Sequence, residues 1–164
     1  TAEPTLAAGE CLRAYDITNF DTCTLKMTVN GDIPVFFGAS HATDSHTDHL
    51  VRYEFEKGYV IIENYLLKAI FKDGTVKVYG DPMVDPFAHK IIHCLEAIEN
   101  GTTPICTVKT ALSHVKLIGE VYRTIPVKEF TESEIVRAED RIYVPGLKEK
   151  LLKAFEKTCL LSEV

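Results

Sequence analysis

From Thr22 onward the chain alternates between polar and apolar positions. Cys23, Leu25, Met27 and Val29 fall on one side, and Thr22, Thr24, Lys26 and Thr28 on the other. A period of two predicts a β-strand that turns one face to a core. Asn30-Gly31 follows and supplies the positive-φ pair of a tight hairpin turn. Val35–Ser40 returns as a strand apolar on both faces, then opens into a polar loop, HATDSHTDH, that ends at His49. Upstream, Cys11–Thr18 alternates weakly and predicts a first strand, while Thr1–Gly9 has no period and reads as a lead-in.

Downstream, His49–Glu56 alternates again, Lys57-Gly58 reads as a turn, and Tyr59–Tyr65 and Leu66–Lys72 are two further β-rich runs. Asp73-Gly74 is a second hairpin signal, before Thr75–Tyr79. Short strands joined by tight turns make an antiparallel sheet, because parallel neighbours need long crossovers. The period then changes. Asp85-Pro86 reads as an N-cap followed by Pro at the first helical position. Phe87, Ile91, Cys94, Leu95 and Ile98 recur at helical spacing up to Asn100, and Gly101 is the terminator. A second helix starts near Thr107, with a stripe of Ala111, Leu112, Val115, Ile118 and Tyr122, and ends at Pro126. Val127–Phe130 predicts a short edge strand, Glu132–Asp140 a charged helical segment, and Pro145–Leu161 a third amphipathic helix with Leu147, Leu151, Leu152 and Phe155 on one side.

Strands first and helices afterwards predict an α+β fold, a mainly antiparallel open β-sheet with helices packed on one face. Residues 1–164 then form one domain, with 131–164 as a helical C-terminal extension. Because several strands are apolar both ways, the open face should find a partner. The expectation is a homo-oligomer stacked sheet on sheet; the alternative is that the C-terminal segment folds over that face.

Composition narrows the function classes. A formal net charge of −6 without a basic stripe argues against nucleic acid. No apolar run approaches membrane-spanning length and no signal peptide is present, so a cytoplasmic protein with no membrane partner is expected. The odd set Cys11, Cys23, Cys94, Cys106 and Cys159 lacks metal or disulfide spacing and sits inside apolar patterns, which reads as buried reduced thiols.

The loop offers His41, His46 and His49 with Asp44 and Asp48, ligand types a divalent metal accepts, but at no standard spacing. A solvated loop is the plain alternative, and no metal site is assigned. His89 and His93 share a helix face at i, i+4 without an evident third ligand, and with His114 read as partly exposed helix residues. Lys109, Arg123 and the run Glu129–Arg141 read as solvated surface, and Tyr15, Tyr53, Tyr59 and Tyr79 as sheet-face packing.

Four stretches together resemble the C-terminal domain of the Gfo/Idh/MocA oxidoreductases, the glucose–fructose oxidoreductase and inositol 2-dehydrogenase group. They are RAYDITNFDTCTLKMTVNGDIPVFFGASHAT, YEFEKGYVII, PFAHKIIHCLEAIENGTTPICTVKTALSHVKLIGEVYRT and PVKEF, spanning about Leu12 to Phe130. The helix-closing third stretch is the most specific. Three family segments are absent: the GxGxxG turn that cradles a dinucleotide, the E-K-P segment with the catalytic lysine, and the D-x-G-x-H helix with the catalytic histidine. In the family all lie before the position of Leu12, and the first residue here is Thr1 rather than Met, as in a chain cut after them. The resemblance therefore implies a substrate-binding and oligomerisation domain of an NAD(P)-dependent oxidoreductase acting on a sugar or polyol. It would hold no catalytic residue and no cofactor site of its own, and would be inactive alone. NAD or NADP would be bound by the missing Rossmann domain. The same resemblance admits an NAD-dependent glycosidase, and the residues alone also admit a non-catalytic dimerisation or carbohydrate-binding module. At the loop's position the family lends side chains to a sugar pocket, which makes His46, then His41 and Asp48, the candidates for substrate contact.

Overall fold

The computed structural model describes residues 2–82 and 84–164. It divides into two compact units, residues 1–46 with 106–164, and residues 47–105. Among the described residues the strands form two four-stranded sheets and a two-stranded ribbon. The expected α+β class with mainly antiparallel pairing is what the chain adopts, with the strands shared between two sheets.

In the first unit, β1 (Pro4–Arg13), β2 (Thr22–Val29) and β3 (Ile33–Ser40) form an antiparallel meander. Asn30 (φ 54°) and Gly31 (φ 92°) make the turn as anticipated, and Val29 pairs with Ile33. The lead-in expectation fails: β1 starts at Pro4, where Pro4 pairs with Val29. Neighbouring strand and turn supply the order that local period lacks, and the Asn30 side chain accepts the Glu3 N–H at 3.1 Å. β8 (Val127–Glu129) adds a parallel edge beside β1, giving the order β3-β2-β1-β8.

β2 is covered on both sides. Cys23, Leu25 and Met27 join Cys11 in a core closed by Val121 of α2 (Val108–Thr124), with Leu117 and Ile125 beside it. The core-facing side of α2 is thus Leu117 and Val121, continued by Ile125 at its C-cap, whereas Leu112, Val115 and Tyr122 of the expected stripe are exposed. The helix carries two apolar stripes, and hydropathy alone does not choose between them. Thr107 caps it reciprocally with Thr110, as its hydroxyl predicted.

The opposite, threonine face is sealed by the C-terminal segment. Leu151 of α3 (Leu147–Lys157) reaches Gly38, the Leu161 N–H donates to Thr24 Oγ1 at 3.3 Å, and Lys26 Nζ pairs with Glu163 at 2.8 Å. The Lys26 ammonium and the Leu160 N–H hold the Glu163 carboxyl below its usual range. For this sheet the alternative weighed above, cover by the C-terminal segment, is realised. Glu132–Asp140 is not helical. It supplies β9 (Val136–Arg137), paired with β10 (Ile142–Tyr143), because the Ala138 N–H closes a turn on the Arg141 carbonyl instead of continuing a helical ladder.

The second unit is a four-stranded antiparallel meander of β4 (Val51–Phe55), β5 (Gly58–Glu63), β6 (Leu66–Phe71) and β7 (Val76–Gly80), followed by α1 (Pro86–Glu99). Asp85 caps α1, accepting the Ala88 N–H, and Gly101 (φ 60°) lies just beyond its end, both as read from sequence. Lys57-Gly58 is not the turn pair: Gly58 already belongs to β5, and Glu56-Lys57 make the turn. In this unit Ala69 and Ala97 are the buried residues among those described. Phe87, Ile91, Leu95 and Ile98 of α1 lie exposed rather than packed on a sheet, and so do Tyr53, Phe55, Val76, Val78 and Tyr79.

Gly58 is fixed by close approach. A Cβ there would meet the Ile70 carbonyl oxygen at 2.2 Å and Phe71 Cα at 2.8 Å, both backbone atoms of the paired strand. Gly58→Ala is expected to part β5 from β6 at this end and cost about 2 kcal/mol, read from the urea midpoint at unchanged slope.

Candidate functional site

The histidine loop begins where β1, β2 and β3 are tied together by Asp21. This carboxylate is buried and has backbone donors rather than a cation. Oδ2 accepts the Ala14 and Tyr15 N–H groups at 2.7 and 2.9 Å, and Oδ1 accepts the Thr22 hydroxyl at 2.8 Å. The Asp21 N–H donates to the Leu12 carbonyl, and the Asp21 carbonyl accepts the His41 N–H at 2.9 Å. Thr22 Oγ1 is also 2.8 Å from Ser40 Oγ, and Ser40 Oγ accepts the Ala42 N–H at 2.9 Å. With Thr22 donating to Asp21, the Ser40 hydroxyl donates to Thr22, so a single chain of hydrogen bonds runs from the end of β1 to the start of the loop.

Beyond it the loop is held from the C-terminal segment. Ala42 is fully buried against Ala14, Val144 and Leu147, and its carbonyl accepts the Val144 N–H at 2.9 Å. Arg141 Nη1 donates to the Asp44 carbonyl at 2.8 Å. Lys148 Nζ donates to Ser45 Oγ at 3.1 Å and to the His46 carbonyl at 3.4 Å. Arg141 was placed on a solvated surface by its charge run; it anchors the loop. Sequence reading missed Asp21, Ser40 and Lys148: Lys148 acts across 102–103 residues, and Asp21 and Ser40 bond nearer backbone groups outside any cap or turn motif.

The candidates are placed as follows. The His41 side chain is exposed while its backbone is pinned to Asp21. His46 is exposed with its carbonyl held by Lys148. Both belong to the first unit; Asp48 belongs to the second. There Asp48 accepts a hydrogen bond from the Tyr65 hydroxyl. That bond, with the charges of Asp48 and Asp81, pushes the Tyr65 phenol up from its ordinary value. Tyr65 (φ 59°) and Asn64 (φ 50°) form the two-residue β5–β6 turn, and no glycine marks it in the sequence. Sequence reading missed Tyr65.

Elsewhere, His93 pairs with Glu96 at 3.3 Å on the exposed face of α1, and His89 and His114 are exposed. Tyr15 packs in the core beside Ala42, and Arg52 stacks over Tyr59 at 4.3 Å, but Tyr53 and Tyr79 lie exposed. Cys11 and Cys23 are buried as expected; Cys94 and Cys106 are exposed, the latter because they sit on uncovered helical and loop surface. Among the described residues no group of three or more His, Cys, Asp or Glu could hold a metal ion, and no helix is long and apolar enough to cross a membrane.

Among the described residues each unit carries a cleft. One, about 240 Å³, is lined by apolar Leu12, Phe130, Val144 and Leu147 and by both lysines and glutamates, Lys128 and Lys150 with Glu10, Glu129 and Glu134. The second, about 310 Å³, lies between the end of α1 and Thr102–Ile105. His41, His46 and Asp48 line neither.

A nicotinamide dinucleotide needs free N–H groups at a helix start reached through a glycine-rich turn. Here Asp85 caps α1 with a carboxylate, the Thr107 hydroxyl accepts the Thr110 N–H at the start of α2, and Glu149 places an acid in the first turn of α3. Among the described residues no helix start is reached through a glycine-rich turn of that kind.

No protein-family model and no curated protein matches the sequence. Solved structures do. UDP-N-acetylglucosamine 3-dehydrogenase GnnA from Acidithiobacillus ferrooxidans is similar in two crystal forms. One gives a TM-score of 0.63 and the other 0.64, each at 18% identity over 76% of this chain. The chain spans 40% and 41% of the length of those two chains. That dehydrogenase is a Gfo/Idh/MocA oxidoreductase, so the solved fold is of the kind that the sequence resemblance implied. At this identity the likeness establishes the fold.

Asp21→Ala leaves the Ala14 and Tyr15 N–H groups without an acceptor inside the structure. It should lower the stability of the first unit by about 3 kcal/mol, measured by chemical denaturation, with Asp21→Asn losing less.

Proposed function

We propose that this chain is the C-terminal, substrate-side portion of an NAD(P)-dependent oxidoreductase that acts on a sugar, sugar nucleotide or polyol. The observation that carries the reading is the fold likeness to a sugar-nucleotide dehydrogenase over 76% of the chain, at about two fifths of that enzyme's length. The four sequence stretches that resemble the Gfo/Idh/MocA C-terminal domain support it independently. In this reading the nicotinamide, which moves hydride to or from a substrate hydroxyl carbon, is bound by residues outside these 164. The present residues supply pocket wall and subunit contacts.

His46, His41 and Asp48 are the proposed substrate-side residues. His41 and His46 offer ring nitrogens from a loop whose backbone is fixed by Asp21 and Lys148. Asp48 comes with the Tyr65 hydroxyl already hydrogen-bonded to it, so the pair presents an acceptor and a phenol to a polyhydroxylated ligand. The test is a complete reading frame containing these residues, titrated with NAD and NADP and assayed with UDP-sugars and free polyols. Hydride transfer is expected, with His46→Ala raising KM more than it lowers kcat. A complete frame that binds neither nucleotide overturns the reading in favour of a non-catalytic carbohydrate-binding or dimerisation module.

Self-association through the sheet of β4 to β7 belongs to the same proposal. Tyr53, Phe55 and Tyr79 are exposed on one face of this sheet and Val76 and Val78 on the other, apolar side chains of the kind a partner covers. Sedimentation equilibrium should give a concentration-dependent mass above that of one chain. A strict monomer at the highest soluble concentration removes this part of the proposal.

A further inference from the structure

Cys11 and Cys23 stand directly opposite one another in the antiparallel register of β1 and β2. Both thiols are free and buried, and both side chains belong to the same core cluster under Val121, so they point to the same face of the sheet. Directly opposed residues of an antiparallel pair have Cα atoms about 4.5–5.5 Å apart, inside the range of about 4.4–6.8 Å that a disulfide spans. β1 and β2 are also the two central strands of the order β3-β2-β1-β8. The other cysteines lack such a partner among their strand neighbours: Cys94 lies on α1, Cys106 precedes α2 and Cys159 follows α3.

The geometry points to a modification site: Cys11 and Cys23 form a cross-strand dithiol that a low-molecular-weight disulfide oxidises to an intramolecular bridge. One thiolate attacks the small disulfide and releases one small thiol, leaving a mixed disulfide on the protein. The second thiolate attacks the protein sulfur of that mixed bond and releases the second small thiol. Two protein thiols become one protein disulfide, and one small disulfide becomes two thiols, with two electrons passed.

In the closed core the reaction is held off. Burial, and next the nearby Cys11, push the Cys23 thiol up to about 12, against a lowering from the Ala39 backbone, and burial raises Cys11 as well. Neither sulfur is a ready thiolate at neutral pH, and α2 shields both. The bridge therefore closes as the first unit folds or opens, after which it pins the two central strands in register and encloses Asp21 in its loop.

The experiment refolds Cys94→Ser/Cys106→Ser/Cys159→Ser protein in a mixture of reduced and oxidised glutathione, quenches with an alkylating agent and weighs the intact chain. The expected product is a monomer with no alkylated thiol and a mass about 2 Da below the dithiol form. Its unfolding midpoint should lie on the order of 5–10 °C above that of the reduced protein. The folded reduced protein, exposed to the same mixture, should convert far more slowly. The native sequence gives a second readout free of any folding defect in the variant. Tryptic cleavage after Arg13 and Lys26 should leave residues 1–13 linked to residues 14–26. Two alkylated thiols after refolding, persistent glutathione adducts, or bridges only between molecules overturn the assignment.

Discussion

The buried carboxylate of Asp21 is the constraint on which the first unit depends. A carboxylate taken out of water is costly unless its lone pairs are used. Asp21 meets that demand with two backbone N–H groups and one hydroxyl, none of them from a cation. The N–H groups are those of Ala14 and Tyr15, the residues at which β1 loses its pairing, so the side chain completes the strand end. The hydroxyl belongs to Thr22, the first residue of β2 and one of the least exposed side chains in the chain. Through Thr22 and Ser40 the same bonds reach the first turn of the histidine loop. A loop of polar, mobile residue types thereby departs from a fixed point, which is what any ligand-contacting role requires.

Features that reside in two or three adjacent residues were legible from the sequence. Asn30-Gly31, Asp85-Pro86, Thr107 and Gly101 sit where their backbone preferences demand, because turn and cap chemistry is local. The strands of the second unit were readable for the same reason, although Gly58 went into the strand and Asn64-Tyr65 made a turn without glycine. Features decided by distant residues were not legible. β1 begins at Pro4 because β2 and the Asn30 side chain hold it there. The buried stripe of α2 was chosen by the sulfur and leucine side chains it faces. The segment after Thr131 paired as a ribbon although its charge pattern suits a helix.

The candidate site divides along the same line. The types and positions of His41, His46 and Asp48 were visible as a cluster of polar residues. What holds them was not, since Arg141 and Lys148 lie about a hundred residues downstream, at separations of 97 and 102–103. Tyr65 likewise joins Asp48 across a separation of 17 residues. The apolar residues of α1 were legible as a helix face, but their burial within the chain was not to be had. The second unit closes so little core that its sheet and helix both keep apolar side chains in water, and the physical case for a larger assembly rests there.

The first unit is built from two separate stretches of sequence, residues 1–46 and 106–164, with 47–105 falling between them in chain order. On a ribosome this order has a kinetic cost. The β1–β3 meander is made before the segments that close it: one face waits for α2 and the other for α3 and the residues after it, including Leu161 and Glu163. Until those segments are made, its cysteine and threonine faces stay uncovered, while the intervening meander can pair from neighbouring strands alone. Translation speed through the second half, rather than the intrinsic rate of hairpin formation, then sets how long the nascent chain remains open to misassociation.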